Sequence, residues 1–165
     1  ADAQFRLGLL LLENTPQQAL TWLTQAAEAE HAQANALLGE FHLTGQYLPQ
    51  DAALAIPFLE RATAAGDASA RNNLAWVLAT SEDDTLRDGN RALTPIRPLA
   101  ASEGGWQHFD TLAAAYAAVP DMEQAVKAQS LAIREARRES VDDATLAEML
   151  ARLADYESNR GSTDQ

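Results

Sequence analysis

The chain has 165 residues, 47% of them hydrophobic, no cysteine and a net charge of −12. That length suits one domain with a continuous core, and the lack of cysteine excludes disulfides and thiolate metal sites while leaving the compartment open. So acidic a surface repels phosphate backbones and anionic membranes, which argues against nucleic acid and anionic membranes as partners while a basic protein suits it; it also confers solubility.

The hydrophobic residues are mostly Ala and Leu, strong helix formers, and no segment alternates Val, Ile or Thr at period two over the length of a strand. The chain reads as all-α. No run of 18 apolar residues occurs, so nothing has the length to span a membrane as a helix. The apolar stretch Leu7 to Leu12 lacks the basic flank and cleavage site of a signal peptide. No initiator Met is present and the chain starts inside a repeated phrase, which points to a longer precursor with any targeting segment upstream.

The phrase is a short block closing on Leu-Gly or Leu-Ala. It occurs as Leu7-Gly8, Leu38-Gly39, Leu74-Ala75 and Leu112-Ala113, with leucines 31, 36 and 38 residues apart. Self-similarity at such a period marks a solenoid of stacked units, each built here from an A helix and a B helix.

In the first unit the A helix spans about 2–13, and Thr15-Pro16 opens a B helix that carries Ala19, Trp22, Leu23, Ala26 and Ala27 at i, i+3, i+4, i+7 spacing. The second A helix begins near His31 and breaks at Gly45. Asp51 caps its partner, which holds Leu54, Ala55, Phe58, Leu59 and Ala62 and ends at Gly66. Asp67 caps a third A helix over about 68–80. The polar loop Ser81 to Gly89 resembles an insertion, and the B helix over about 90–102 contains Pro95 and Pro98, where a kink or irregular start is expected, as at Pro57. A fourth pair covers about 107–119 and 122–140. A last helix, about 142–158, carries Leu146, Met149, Leu150 and Leu153 on one stripe and caps the open end; 159–165 reads as a flexible tail.

The residues Leu38-Gly39, His42, Gly45, Leu48-Pro49-Gln50-Asp51, Ala55, Phe58, Arg61-Ala62 and Ala65-Gly66-Asp67-Ala68 resemble a Sel1-like repeat, with His42 in place of a tyrosine and Phe58 in place of a common Trp. The first unit is similar but shorter. Phe109, Leu112, Ala113, Tyr116, Ala125 and Ala132 resemble a tetratricopeptide repeat, and Leu74, Ala75, Leu78 and Ala92 follow the same pattern. The resemblance implies Sel1-like units at about 1–31 and 32–67, tetratricopeptide-like units at 68–105 and 106–140, and a capping helix at 141–158, as in helical repeat proteins of bacterial type. It further implies a right-handed α-α superhelix with a concave face lined by A helices, an adaptor architecture without catalysis.

Candidate chemistry is sparse. His31, His42 and His108 stand apart from one another without metal-ligand spacing, and His42 reads as a packing ring. The carboxylates of Glu82-Asp83-Asp84 lack the order of a calcium loop, and Asp142-Asp143 reads as helix capping. No nucleophile elbow or glycine-rich phosphate loop occurs. Arg134, Arg137 and Arg138 are expected to pair with acidic residues of the last helix. No cofactor or metal is therefore expected.

Residues two before and two after each key leucine lie on the flank opposite the packing residues, toward the concave side. This gives Phe5, Leu9, Glu40, Asn72, Trp76 and Asp110 as candidate partner-binding residues, with Asn73 beside them. A tryptophan there is an interface anchor, and an asparagine amide can grip a peptide backbone. Asn73 falls where tetratricopeptide repeats that hold C-terminal peptides place an Asn, but the cations of such a clamp are missing from the neighbouring positions. The reading is a non-catalytic protein- or peptide-binding adaptor. Two alternatives stay open: an acidic inhibitory or immunity-type protein that blocks a basic partner, and an assembly module of a longer array.

Overall fold

The computed structural model describes residues 1–163. Nine α-helices and no strands occur among them: α1 (Asp2–Leu11), α2 (Pro16–Glu28), α3 (Ala32–Thr44), α4 (Ala52–Ala64), α5 (Ala68–Thr80), α6 (Gly89–Glu103), α7 (Trp106–Ala118), α8 (Met122–Arg138) and α9 (Asp143–Thr163). They form two compact units, 1–74 and 75–165, with α5 running from one into the other.

In the first unit α1 pairs with α2 and α3 with α4. Leu23, Ala26, Ala27, Ala34, Leu38 and Phe41 make its core, with Phe5, Leu20 and Phe58 packed at the edge. The glycines of the Leu-Gly phrase are set by distance. A Cβ on Gly8 would lie 2.7 Å from Leu23 Cγ, and one on Gly39 2.7 Å from Leu59 Cγ. Both are far inside van der Waals contact, so the bare Gly lets a B-helix leucine seat against the A-helix backbone. Asn35, itself buried, ties the unit together: its amide donates to the carbonyls of Ala27 (3.2 Å) and His31 (3.1 Å) and accepts from Arg61 Nε (2.9 Å).

In the second unit α6 packs on α7, α7 on α8 and α8 on α9. Ala132, Ile133, Ala136 and Met149 form a core cluster flanked by Trp106, Phe109, Leu146 and Leu153. Leu150, which the sequence places on the packing stripe of α9, is 40% exposed. The stripe instead runs Leu146, Met149, Leu153 and Tyr156, closer to the 3.6-residue helical period. α9 also continues past Ser158 to Thr163, taking in part of the expected tail, while 164 and 165 lie outside the described residues. At the start of α8 the Lys127 hydrogen bond and charge hold the Glu123 pKa below the usual carboxylate value, and the Arg160 charge on that extension adds a smaller push in the same direction.

One closure recurs in every pair. The carbonyl four residues after the key leucine accepts from the backbone N–H of the residue that caps the B helix. The bonds are Thr15 to Leu11 (2.8 Å), Asp51 to His42 (2.8 Å), Asp88 to Leu78 (2.8 Å) and Asp121 to Tyr116 (3.0 Å). The separation between donor and acceptor varies from four to ten positions along the chain without disturbing it. The loop at 81–88 keeps this closure: Asp88 N–H reaches Leu78 as Asp51 reaches His42, and each aspartate accepts from the helix it caps. The B helices α2, α4 and α8 end alike. Glu30, Gly66 and Ser140 adopt left-handed backbone with φ of 57°, 91° and 56°. The next residue in each case donates to the carbonyl five before it, as in a Schellman turn.

The prolines do not break their helices. α4 runs through Pro57 and α6 through Pro95 and Pro98. Pro57 and Pro98 are exposed, so the carbonyl each leaves unbonded can turn to water.

Candidate functional site

The candidate residues fall on both units: Phe5, Leu9, Glu40, Asn72 and Asn73 in the first, Trp76 and Asp110 in the second. In the first unit Phe5 is half-buried and stacked on His31, with ring centroids 4.5 Å apart, while His31 caps α3 by accepting from the Ala34 N–H. Phe5 is thus a packing residue. Leu9 is 41% exposed and Glu40 is exposed. Asn72 and Asn73 are half-buried, and Asn72 Oδ1 has no hydrogen-bond partner among the described residues. No hydrogen bond or ring contact joins these five to one another among the described residues.

The second unit does bring its two candidates together, through a residue the sequence reading did not select. Arg152 of α9 sends Nη2 to Asp110 Oδ2 (2.9 Å) and Oδ1 (3.1 Å), with Nε 3.3 Å from Oδ1. Its guanidinium carbon lies 5.8 Å from the centre of the Trp76 ring. One cation thus rests between an indole and a carboxylate, within the range of a cation–π contact on one side and a forked ion pair on the other.

Asp110 is not the exposed carboxylate that its position on α7 implied. It is 6% exposed and takes a second hydrogen bond from Gln129 Nε2 of α8 at 2.7 Å. Burying a lone carboxylate is costly, and these donors offset that cost. Gln129 is wholly buried and also donates to the Met149 carbonyl of α9 (3.2 Å), so a single amide links α8, α7 and α9. Tyr156, one turn beyond Arg152, has its hydroxyl pKa pushed up to about 12, first by burial and then by the nearby Asp110 charge. It stays neutral across the physiological range.

Arg152 comes from α9, 42 residues along the chain from Asp110. Its signal in the sequence is slight. Arg152 falls three residues after Met149 and four before Tyr156, a single cation set into an otherwise apolar stripe.

The remaining polar groups have local duties. His42 stacks with Phe58 at 5.9 Å between centroids and approaches the Pro49 carbonyl through Nδ1. Asp142 accepts from the Thr145 N–H (2.9 Å), and that bond holds its pKa below the usual carboxylate value. Arg134 and Arg138 pair with Glu135 of their own helix rather than with α9; the Glu135–Arg138 spacing of three residues puts those two on one face. Asp84 pairs with Arg87 and Asp83 bonds Thr85 within the 81–88 loop. No group of three or more His, Asp or Glu able to hold a metal occurs among the described residues, and none of their helices is long and apolar enough to cross a membrane.

Comparison with known proteins supports the repeat reading. The Sel1 repeat matches residues 1–31 and 32–67. A Sel1 repeat protein from Oxalobacter formigenes has a crystal structure that superposes with a TM-score of 0.55 at 28% identity, over 80% of this chain and 57% of that one. A protective antigen of uropathogenic Escherichia coli strains, displaying an SLR fold, superposes at 0.62 with 22% identity, over 93% of this chain and 38% of that one. The chain thus spans between about a third and three fifths of these structures' own lengths. No curated protein sequence matches it.

Proposed function

Starting from a helical protein built on Sel1-like repeats, we propose that this chain is a non-catalytic scaffold that binds a protein or peptide through the A-helix surface of its second unit, at Trp76 and Asp110. Sel1 repeats generally serve as protein-interaction scaffolds. The observation that carries the finer reading is the meeting of Trp76 and Asp110 on one arginine, because Trp and Arg are residue types in which interface hot spots are enriched. The net charge of −12 favours a basic partner and steers its approach. It also keeps the inhibitory reading in view, which would be marked by one cognate partner held in a tight, salt-sensitive complex.

The test is a photo-crosslinking amino acid placed at position 76 and, as a control, at the exposed Lys127 of α8. Adducts with one protein at position 76 and none at 127 support the surface. Equal labelling at both would sink it. In parallel, Trp76→Ala should reduce capture while leaving helicity and melting temperature close to wild type. A collapse of thermal stability would show Trp76 to be core and the site misassigned.

A further inference from the structure

Resting on that reading of the surface, we infer that Trp76 and Asp110 form a receptor for a guanidinium group and that Arg152 is its intramolecular occupant, which an arginine of the partner replaces. The geometry favours guanidinium over ammonium. Two nitrogens of Arg152 address the two oxygens of Asp110, a fork that a lysine's point charge cannot reproduce, and a planar cation also lies well over an indole.

The acceptor is built independently of its occupant. Gln129 holds Asp110 Oδ1 at 2.7 Å from the buried side, so the carboxylate keeps its place when Arg152 leaves. The occupant is less fixed. The Arg152 side chain is 29% exposed against 8% for Asp110, so its guanidinium has an open route to solvent. The α9 backbone need not move for the exchange, because the buried Met149 and its carbonyl bond from Gln129 anchor that turn separately. Only the arginine side chain must break its fork to Asp110 and rotate. Tyr156 beside it stays protonated at neutral pH and adds no charge of its own to the site.

The consequence is a self-occupied site. Arg152 raises the threshold for weak cationic ligands, and a segment bearing arginine within a larger interface displaces it. The experiment removes the occupant and supplies the group in trans. Arg152→Ala is titrated with methylguanidinium and, separately, with methylammonium at matched ionic strength, while the Trp76 indole N–H is followed by nitrogen–proton NMR. Arg152→Ala should take up methylguanidinium saturably, with at least tenfold preference over methylammonium. Wild type should need at least tenfold more methylguanidinium for the same shift, and Asp110→Asn in the Arg152→Ala background should abolish it. Arg152→Asn, whose short side chain leaves the site open, gives the same readout where Arg152→Ala fails to fold.

Absence of a saturable shift in the folded variant, equal response in wild type, or indifference to Asp110→Asn overturns the inference and leaves Arg152 as a fixed strut. That outcome is separable from the scaffold reading. Crosslinking at position 76 reports capture whatever side chain enters the site, so it can succeed where methylguanidinium fails, and the reverse.

Discussion

Replacing Gly39 by Ala adds one methyl group where none fits. The new Cβ would sit 2.7 Å from both Cγ and Cδ2 of Leu59, and Leu59 is wholly buried, so it has no solvent to swing into. Carbon atoms rest about 3.5–4.0 Å apart, so α3 and α4 must separate locally by roughly an ångström or Leu59 must leave its rotamer. Overpacking of this kind costs about 1–3 kcal/mol, while exchanging Gly for Ala inside a helix returns about 1 kcal/mol of propensity. The net expectation is a loss of about 0–2 kcal/mol, read as a lower urea midpoint by far-ultraviolet circular dichroism at unchanged m-value.

A double variant makes the reasoning testable against its own mechanism. Leu59→Ala alone should cost about 2–5 kcal/mol through the cavity it leaves. With the leucine gone, the methyl group added at position 39 enters that space, so Gly39→Ala should become neutral or stabilising in the Leu59→Ala background. Simple additivity of the two changes, or a Gly39→Ala protein more stable than wild type by the full helix-propensity gain of about 1 kcal/mol, would refute the close-approach account of the Leu-Gly phrase.

Two further outcomes follow from the polar groups. Tyr156 has a folded pKa of about 12 against an ordinary value of 10.0, so it holds its proton more tightly when folded. Its contribution is complete below pH 10 and is lost as pH rises toward 12. Full burial would make a shift of this size worth about 2.7 kcal/mol, and the residual exposure of the ring reduces that to about 1–2 kcal/mol. Tyr156→Phe should accordingly flatten the fall in unfolding free energy over that alkaline window, and an unchanged slope would contradict the assignment. Asn35→Ala removes three hydrogen bonds at a buried position, including the acceptor of Arg61 Nε, at a cost of about 1–3 kcal/mol in the first unit. Urea titration checks it, and a change below about 0.5 kcal/mol in magnitude (the scatter of ordinary surface substitutions) would count against Asn35 as the tie between α2, α3 and α4.

The helices themselves were readable from the chain. The Ala- and Leu-rich composition, the caps at Asp51 and Asp67 and the terminator at Gly66 are local signals. Each acts within a turn or two of backbone, so no tertiary information is needed to interpret them. The period of the Leu-Gly and Leu-Ala phrase was legible for the same reason. The A-to-B loops were not. Residues 81–88 read as an insertion because loop composition varies freely, whereas the invariant is a backbone bond from the capping residue to the carbonyl four after the key leucine. A backbone bond carries no side-chain signature.

The sites divide along the same line. Trp76 and Asp110 were both candidates from their register on single helices, but that register did not show that Asp110 is a buried anion, and Arg152 did not register at all. Neutralising a buried charge depends on what arrives from elsewhere in the chain, here a guanidinium from α9 and an amide from α8. The sequence alone determined an all-α helical repeat, its period and its acidity, because helix formation and net charge are sums over local residues. The tertiary structure decided which polar groups meet, which leucine faces water and which cation lies against Trp76. Those are properties of distance between residues far apart in the chain.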